Sequence, residues 1–374
     1  MMLEELNLRA WPFQTVPDPE FARTWAGRRR TKLQIDQLLS KMQMAPRSGL
    51  RFVWANFGMG KTHTLMHLRY LCSKTAFALI PVYVVLPSKP AGFLDTYRAI
   101  ATELPFEYLG EQLLKVGAGS PGGVAQYPMF TRTPGVVNAL LAIRSGDSER
   151  VMAARQWLTA QPGLGVRDLR TLNVTYRIKT AEDAIQALTT LTQLAAYKPG
   201  KPAKLVILLD EYQRLGALKP AVRNDINTAI HAFFNANPTG LEIILTFSFG
   251  HRNNIKFMLN DELLSRAELQ TLNLDVLTPD EAFEFLQDLL SQFRIRPAPN
   301  ATFPFSDAGL REIIRYIAAS TALTPRRLML YCNHVLQEWQ LAGCPGDEIE
   351  VTDVQAYLAQ TDADNLDSDQ SEPT

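Results

Sequence analysis

Two glycines, a lysine and a threonine fall together in Gly58-Met59-Gly60-Lys61-Thr62, directly after the run Arg51-Phe52-Val53-Trp54-Ala55. Each type has a task in holding a chain of phosphates. Gly58 and Gly60 can take positive φ, which lets successive backbone N–H groups turn inward on an anion. The helical pattern His63-Thr64-Leu65-Met66-His67-Leu68-Arg69-Tyr70-Leu71 follows; its free N–H groups and dipole add positive field at the same place. Lys61 can reach terminal phosphates as a point cation, and the Thr62 hydroxyl is a hard oxygen ligand for Mg²⁺. The cradle so read comprises Ala55, Asn56, Phe57, Gly58, Met59, Gly60, Lys61, Thr62 and His63. Ala55 stands where such loops usually begin with glycine. That position packs a turn and does not touch phosphate, so a small alanine is a mild departure. Taken alone, the same residues also suit a glycine-rich turn that opens an ordinary helix.

A second constellation supplies what the loop lacks. Leu205-Val206-Ile207-Leu208-Leu209 is wholly apolar and stops at Asp210-Glu211. A run without alternation reads as a parallel strand buried on both faces. Its two carboxylates then stand at the carboxyl edge of the sheet, where open α/β sheets bind ligands. Asp210 is expected to hold Mg²⁺ through water and Glu211 to polarise an attacking water. The run Leu241–Ser248 reads as another strand with a polar end; Thr246, Ser248 or Asn253 would face the terminal phosphate or the water, or would simply cap strand ends. Loop and carboxylates together predict hydrolysis of a nucleoside triphosphate.

The elements that must position these residues follow the α/β pattern of a P-loop NTPase: a parallel sheet flanked by helices, a helical insertion over about 88–200, and a helical C-terminal lid. An arm, 1–26, carries the aromatic anchors Trp11 and Phe13. Strands are predicted over 51–55 and within 77–86, besides the two above. Helices are predicted over 61–73, 92–104, 136–160, 180–197 and 221–235, and from Pro279 onward. Residues 105–135 contain many glycines and prolines and read as a long exposed loop. The expected α/β domain is 27–278 and the lid 279–361. The tail 362–374 is acidic and expected to be disordered.

Bulk properties narrow the classes. With 38 basic and 38 acidic residues the net charge is zero, so any contact with nucleic acid must come from a local patch. The run Arg28-Arg29-Arg30-Lys32, with Arg47 and Arg51, is the candidate patch. Cys72, Cys332 and Cys344 are sparse and odd in number, which fits a reducing cytoplasm. No apolar run is long enough to span a membrane and the N-terminus does not read as a signal peptide. The five histidines form no metal-ligand cluster; His63 and His67 are expected on the surface of their helix.

Further motifs carry a resemblance. Trp25-Ala26-Gly27-Arg28 precedes the first helix, Leu263-Leu264-Ser265-Arg266-Ala267 precedes a short strand, Leu277-Thr278-Pro279-Asp280-Glu281 opens a helix, and so does Leu323-Thr324-Pro325-Arg326-Arg327-Leu328. This order resembles the AAA+ ATPases of the origin-recognition and STAND group. The resemblance implies ATP with Mg²⁺, Gly27 and Arg28 near the adenine, and a homo-oligomer with ATP between subunits. It also implies Arg266 as a catalytic arginine offered to a neighbouring subunit and Arg326 as a sensor of the γ-phosphate. A guanidinium fork suits both roles; the alternative is two surface arginines at helix ends. Too short a stretch follows Leu328 for the winged helix that often ends such proteins, so sequence-specific groove reading is not expected.

Ala154-Arg155-Gln156-Trp157-Leu158, Leu169-Arg170-Thr171-Leu172-Asn173-Val174, Ala184-Ile185-Gln186-Ala187-Leu188 and the Asp210 strand are similar to the ATP-binding proteins of bacterial BREX-type phage-defence systems. That likeness implies action on DNA, without sequence specificity, alongside other defence proteins. The reading is an oligomeric, cytoplasmic ATPase acting on DNA or a DNA-bound partner. A STAND-like ATP/ADP switch and a nonenzymatic ATP-binding adaptor remain alternatives. A P-loop kinase is disfavoured by the Asp210-Glu211 pair, which suits water as acceptor.

Overall fold

The structure, a computed structural model, describes residues 3–359 apart from 15, 17, 19, 75–77, 119–131, 198–202, 249–254, 268–270 and 299. Five strands form one sheet: β1 Gly49–Ala55, β2 Ala78–Val85, β3 Ala203–Asp210, β4 Leu241–Ser248 and β5 Leu272–Leu274, in the order β2-β3-β4-β1-β5. The pairs β1/β4, β2/β3 and β3/β4 are all parallel. Every residue of β3 and β4 is buried, which is why these strands read as unbroken apolar runs instead of alternating ones. This is the α/β class expected from sequence.

The described residues divide into two compact units. One comprises Gln34–Ala55 and Leu68–Asn273; the other comprises Met1–Leu33, Asn56–His67 and Leu274–Thr374. Helix α1 spans Arg29–Met44 and α2 spans Lys61–Lys74.

In the sheet unit, the described residues between β2 and β3 form the helices α3 Phe93–Thr102, α4 Phe106–Ala118, α5 Pro134–Ile143, α6 Ser148–Leu158, α7 Val166–Thr171 and α8 Ala181–Ala196. Helices α3 and α8 pack on the sheet, and Tyr97, Leu109, Leu113, Trp157 and Leu191 bury in the shared core. One expectation is corrected here. Much of the predicted loop 105–135 is the helix α4, whose Leu109, Leu113 and Val116 recur on one face and are fully buried. The glycines and prolines that suggested a loop cluster from Gly117 onward, and 119–131 lies outside the described residues. The stretch around 136–160, expected as helical, is helical but divided in two rather than continuous. Gly146 turns the chain at φ +76°, and Asp147 caps α6 by accepting from the N–H groups of Glu149 and Arg150.

After β3 come a 3₁₀ turn Tyr212–Ala217, then α9 Pro220–Ala236, then β4, α10 Ile255–Met258 and α11 Asp261–Arg266. The second unit contains α12 Pro279–Gln292, α13 Asp307–Ser320, α14 Pro325–Leu341 and a last helix over 351–359. Its helix starts are written in the sequence. Thr278 and Glu281 make a reciprocal capping box with Pro279 in the first turn, and Thr324 caps α14 ahead of Pro325. Leu6, Leu8 and Phe13 of the arm are buried with Phe285, Leu286, Ile313 and Leu336 in this unit's core. Among the described residues no helix is long and apolar enough to cross a membrane. The tail 362–374 lies outside them.

Candidate functional site

Ala55 ends β1, Asp210 ends β3 and Ser248 ends β4. The register pairs Ala55 with Ser248 and Leu209 with Leu245. Three strand ends thus share the carboxyl edge of the sheet, and the glycine loop is the next segment of chain after Ala55.

At that edge Asp210 is 1% exposed, and Thr246, Glu211 and Tyr83 all donate to its carboxylate. The Thr246 hydroxyl donates to Oδ1 at 2.6 Å, the Glu211 N–H donates to the same oxygen at 2.9 Å, and the Tyr83 hydroxyl donates to Oδ2 at 3.0 Å. Burial and the negative charge of Asp210 hold the Tyr83 phenol well above its ordinary pKa, so it remains a donor. Glu211 adopts a left-handed conformation, φ 60° and ψ 32°, rare for a residue with a side chain. Its N–H also donates to Thr246 Oγ1 at 3.1 Å, so the hydroxyl of Thr246 is committed to both acids. Ser248 Oγ is buried with no hydrogen-bond partner among the described residues. Asn253 lies outside them.

In the other unit the loop turns on Gly58 at φ +75° and Gly60 at φ +85°. A side chain at Gly60 would meet nothing within 4 Å; the backbone angle, not space, calls for glycine there. Gly58 is tight as well: a Cβ would come within 3.3 Å of Thr324 Oγ1 and Arg326 Cβ. The Arg326 N–H donates to the Gly58 carbonyl at 3.2 Å while its side chain is exposed. The Lys61 ammonium, on a residue 6% exposed, donates to the Asn56 carbonyl at 2.9 Å and lies 5.6 Å from the Phe57 ring centroid. Thr62 is half-buried at the first turn of α2.

Arg28 is held against this loop. Its guanidinium donates to the Met59 carbonyl and to the Asp275 carbonyl, both at 2.9 Å. Burial lowers its pKa to about 10, offset in part by Glu281 and Asp275, and its Nε has no partner among the described residues. Gly27 precedes it at φ +51°, where a Cβ would lie 2.8 Å from the Phe285 backbone. The expected surface position of His63 and His67 is corrected. His67 is 3% exposed; its Nδ1–H donates to the Ala22 carbonyl at 2.7 Å and the His63 Nε2–H to the Thr24 carbonyl at 3.1 Å. Trp25 packs against both rings. Burial, His67 and Arg28 push the His63 pKa down to about 4, so it is neutral at physiological pH.

The basic run divides. Arg28 is buried as described. Arg51 is buried in an ion pair with Glu242, which Lys204 also contacts at 3.3 Å. Neither belongs to an exposed cationic face. Arg29, paired with Glu284 at 2.5 Å, and Arg30 and Arg47 are exposed. Arg266 ends α11, exposed and with no ion pair to a described residue. Among the described residues no group of three or more His, Cys, Asp or Glu side chains is gathered for a metal.

Sequence reasoning missed Tyr83, Gln213 and Arg214. Tyr83 lies in an apolar strand, and only the β2/β3 register brings it to Asp210. Gln213 and Arg214 follow Glu211 closely, a spacing that could have marked them.

No protein-family model matches the chain, and no curated protein sequence does. Solved structures do. The Aeropyrum pernix ORC1 protein, in complex with DNA, matches with a TM-score of 0.52 at 12% identity, over 95% of this chain and 70% of that one. The Aeropyrum pernix ORC2 protein, in ADPNP–ADP complexes, matches with a TM-score of 0.51 at 13% identity, over 89% and 66%. This chain thus spans about two thirds of those longer chains. Likeness at such identity is likeness of fold: the chain has an AAA+-type α/β fold, related to that of these ORC proteins.

Taken by itself, the loop suits a chain of phosphates: Gly58 and Gly60 are left-handed, open space lies beside Gly60, Lys61 brings a cation, and the Thr62 hydroxyl is an oxygen donor. At the sheet edge, taken by itself, the Asp210 carboxylate is an oxygen donor of the kind a hard divalent cation accepts. Ser248 Oγ and Arg28 Nε are buried polar atoms with hydrogen-bonding capacity left over among the described residues.

Proposed function

We propose that this protein is an ATPase. The observation that carries the reading is the shared edge: β1 runs out into a loop of left-handed glycines and Lys61, and β3 ends in Asp210-Glu211 on the same side of one parallel sheet. Bound nucleotide with Mg²⁺ would supply the anhydride to be cleaved and the charge neutralisation it needs. The loop N–H groups and Lys61 bind phosphate, Thr62 and Asp210 serve the cation, and Glu211 takes a proton from water. Arg326, whose backbone is tied to Gly58, has its exposed guanidinium available to terminal phosphate. Arg266, exposed at the end of α11, suits a role at the nucleotide of a neighbouring subunit in a homo-oligomer.

The finer reading is an oligomer that couples hydrolysis to action on DNA or a DNA-bound partner. A fold shared with a protein solved on DNA supports it. A place in anti-phage defence rests on the sequence likeness alone. The test is ATP affinity and turnover of the protein and of Lys61→Ala, with and without DNA, beside mass measurements with and without ATP. Lys61→Ala should lose ATP binding, because the phosphates lose their point cation. Unchanged affinity by calorimetry overturns the assignment of the loop.

A further inference from the structure

Gln213 and Arg214 lie in the 3₁₀ turn after Glu211, and both reach back to it. The Gln213 side chain is used at both ends. Its Oε1 accepts from the Ser248 N–H at 3.2 Å, and its Nε2 donates to Glu211 Oε2 at 3.0 Å. The Ser248 N–H can only donate, so the amide oxygen must face β4 and the amide nitrogen must face Glu211. Arg214 approaches the same oxygen, Nε to Oε2 3.6 Å, while its Nη1 donates to the Leu86 carbonyl at 2.7 Å just past β2. Glu211 Oε1 has no hydrogen-bond partner among the described residues.

We propose that Gln213 is a positioning residue that holds the Glu211 carboxylate through a side-chain bridge to the end of β4, an inference that rests on the hydrolytic reading above. A general base needs one oxygen open to a proton and a fixed place from which to take it. The Gln213 hydrogen bond fixes the carboxylate at Oε2, the Arg214 charge attracts the same oxygen from 3.6 Å, and Oε1 is left open. The left-handed backbone at Glu211 orients the stem, Gln213 orients the head, and Arg214 supplies a second anchor from the β2 side. Without the amide, the glutamate side chain recovers rotamers that face away from the water it must activate.

Two variants separate shape from contact. Gln213→Glu keeps the length and the acceptor for the Ser248 N–H but sets a like charge against Glu211. Gln213→Ala removes both contacts. Turnover and ATP affinity are measured for each, and thermal midpoints are measured for Gln213→Glu with and without Glu211→Gln. Both single variants should lose about tenfold or more in kcat, the scale of one hydrogen bond to a charged group, with ATP affinity within about threefold because neither residue belongs to the loop. Gln213→Glu should lower the thermal midpoint, and Glu211→Gln should restore most of that loss, because its amide can donate to the new carboxylate. The midpoint comparison stands without Gln213→Ala should that variant fail to fold.

Wild-type turnover in Gln213→Glu, or a midpoint loss that Glu211→Gln leaves untouched, overturns the proposal while the hydrolytic reading survives. A wild-type protein that shows the midpoint coupling but never hydrolyses ATP overturns the hydrolytic reading, and with it the positioning role, leaving the bridge as scaffold.

Discussion

Thr246→Val replaces a hydroxyl by a methyl of nearly the same size at a residue with no exposed surface. The hydroxyl gives Asp210 its 2.6 Å bond and accepts the Glu211 N–H at 3.1 Å. A hydrogen bond to a charged acceptor contributes about 1.5–3 kcal/mol net. The Glu211 N–H keeps its 2.9 Å bond to Asp210, so losing its second acceptor adds little. The extra buried methyl returns about 0.8 kcal/mol. The variant should therefore lose about 1–2 kcal/mol in denaturant unfolding. If the same amount is lost from the placement of Asp210 and Glu211 during hydrolysis, kcat falls about 5–30-fold. Thr246→Ser is the control: it keeps the hydroxyl and loses a buried methyl, so it should be destabilised by about 1 kcal/mol with turnover near wild type. The two variants thus divide, valine failing in catalysis and serine only in stability. Equal turnover in Thr246→Val and wild type would refute the view that this hydroxyl holds the acids for chemistry.

Glu211→Gln should bind ATP normally and lose about 10²-fold or more in kcat, the scale of a missing general base; ordinary turnover would place the base elsewhere. Arg266→Ala should bind ATP yet fail to hydrolyse it, and mixing it with Lys61→Ala should restore activity, because mixed interfaces pair an intact loop with an intact arginine. A finger in trans is worth about 10³–10⁵ in rate, so full activity of Arg266→Ala alone rules the role out. Glu312, bonded by Arg315 and by Gln355 at 2.9 Å, has its pKa lowered to about 2 by those hydrogen bonds. A depressed folded-state pKa stabilises above the unfolded value and loses that stabilisation as pH falls through the folded one. Glu312→Gln should then be less stable than wild type at pH 6 and match it near pH 2, as read by unfolding midpoints; a gap independent of pH would contradict the shift.

What could be read from the chain before its structure depended on how local each signal is. The buried parallel strands announce themselves because burial on both faces forces continuous apolar runs, and Asp210-Glu211 stands where one such run must stop. The capped starts of α12 and α14 are equally local, since a capping box lies within four residues. Contacts made by register were not legible. Tyr83 reaches Asp210 across strands far apart in sequence, and the apolar run around it gives no sign of a hydroxyl put to use. His67 carries a helical spacing that suits either face, and only the arm's carbonyls decide that it turns inward. In α4 a local signal was present, the 109/113/116 spacing, but the glycines and prolines just beyond it outweighed it.

The left-handed backbone at Glu211 explains why these scattered contacts converge. A residue with a Cβ pays about 1–2 kcal/mol for that conformation, and it persists only where the surroundings insist on it. Here the N–H that the turn exposes is taken up by Asp210 and Thr246, and the side chain is taken up by Gln213 and Arg214. Those partners lie at the ends of β2, β3 and β4 or bond to them, so the strain at one residue is spread over three strand ends. A glycine at this position would relieve the strain but remove the carboxylate, and a relaxed glutamate would keep the carboxylate but turn it off the edge. An acid held in that conformation, with one oxygen tied and the other open, is an arrangement that strand-end packing alone does not require and that the base proposed above would use.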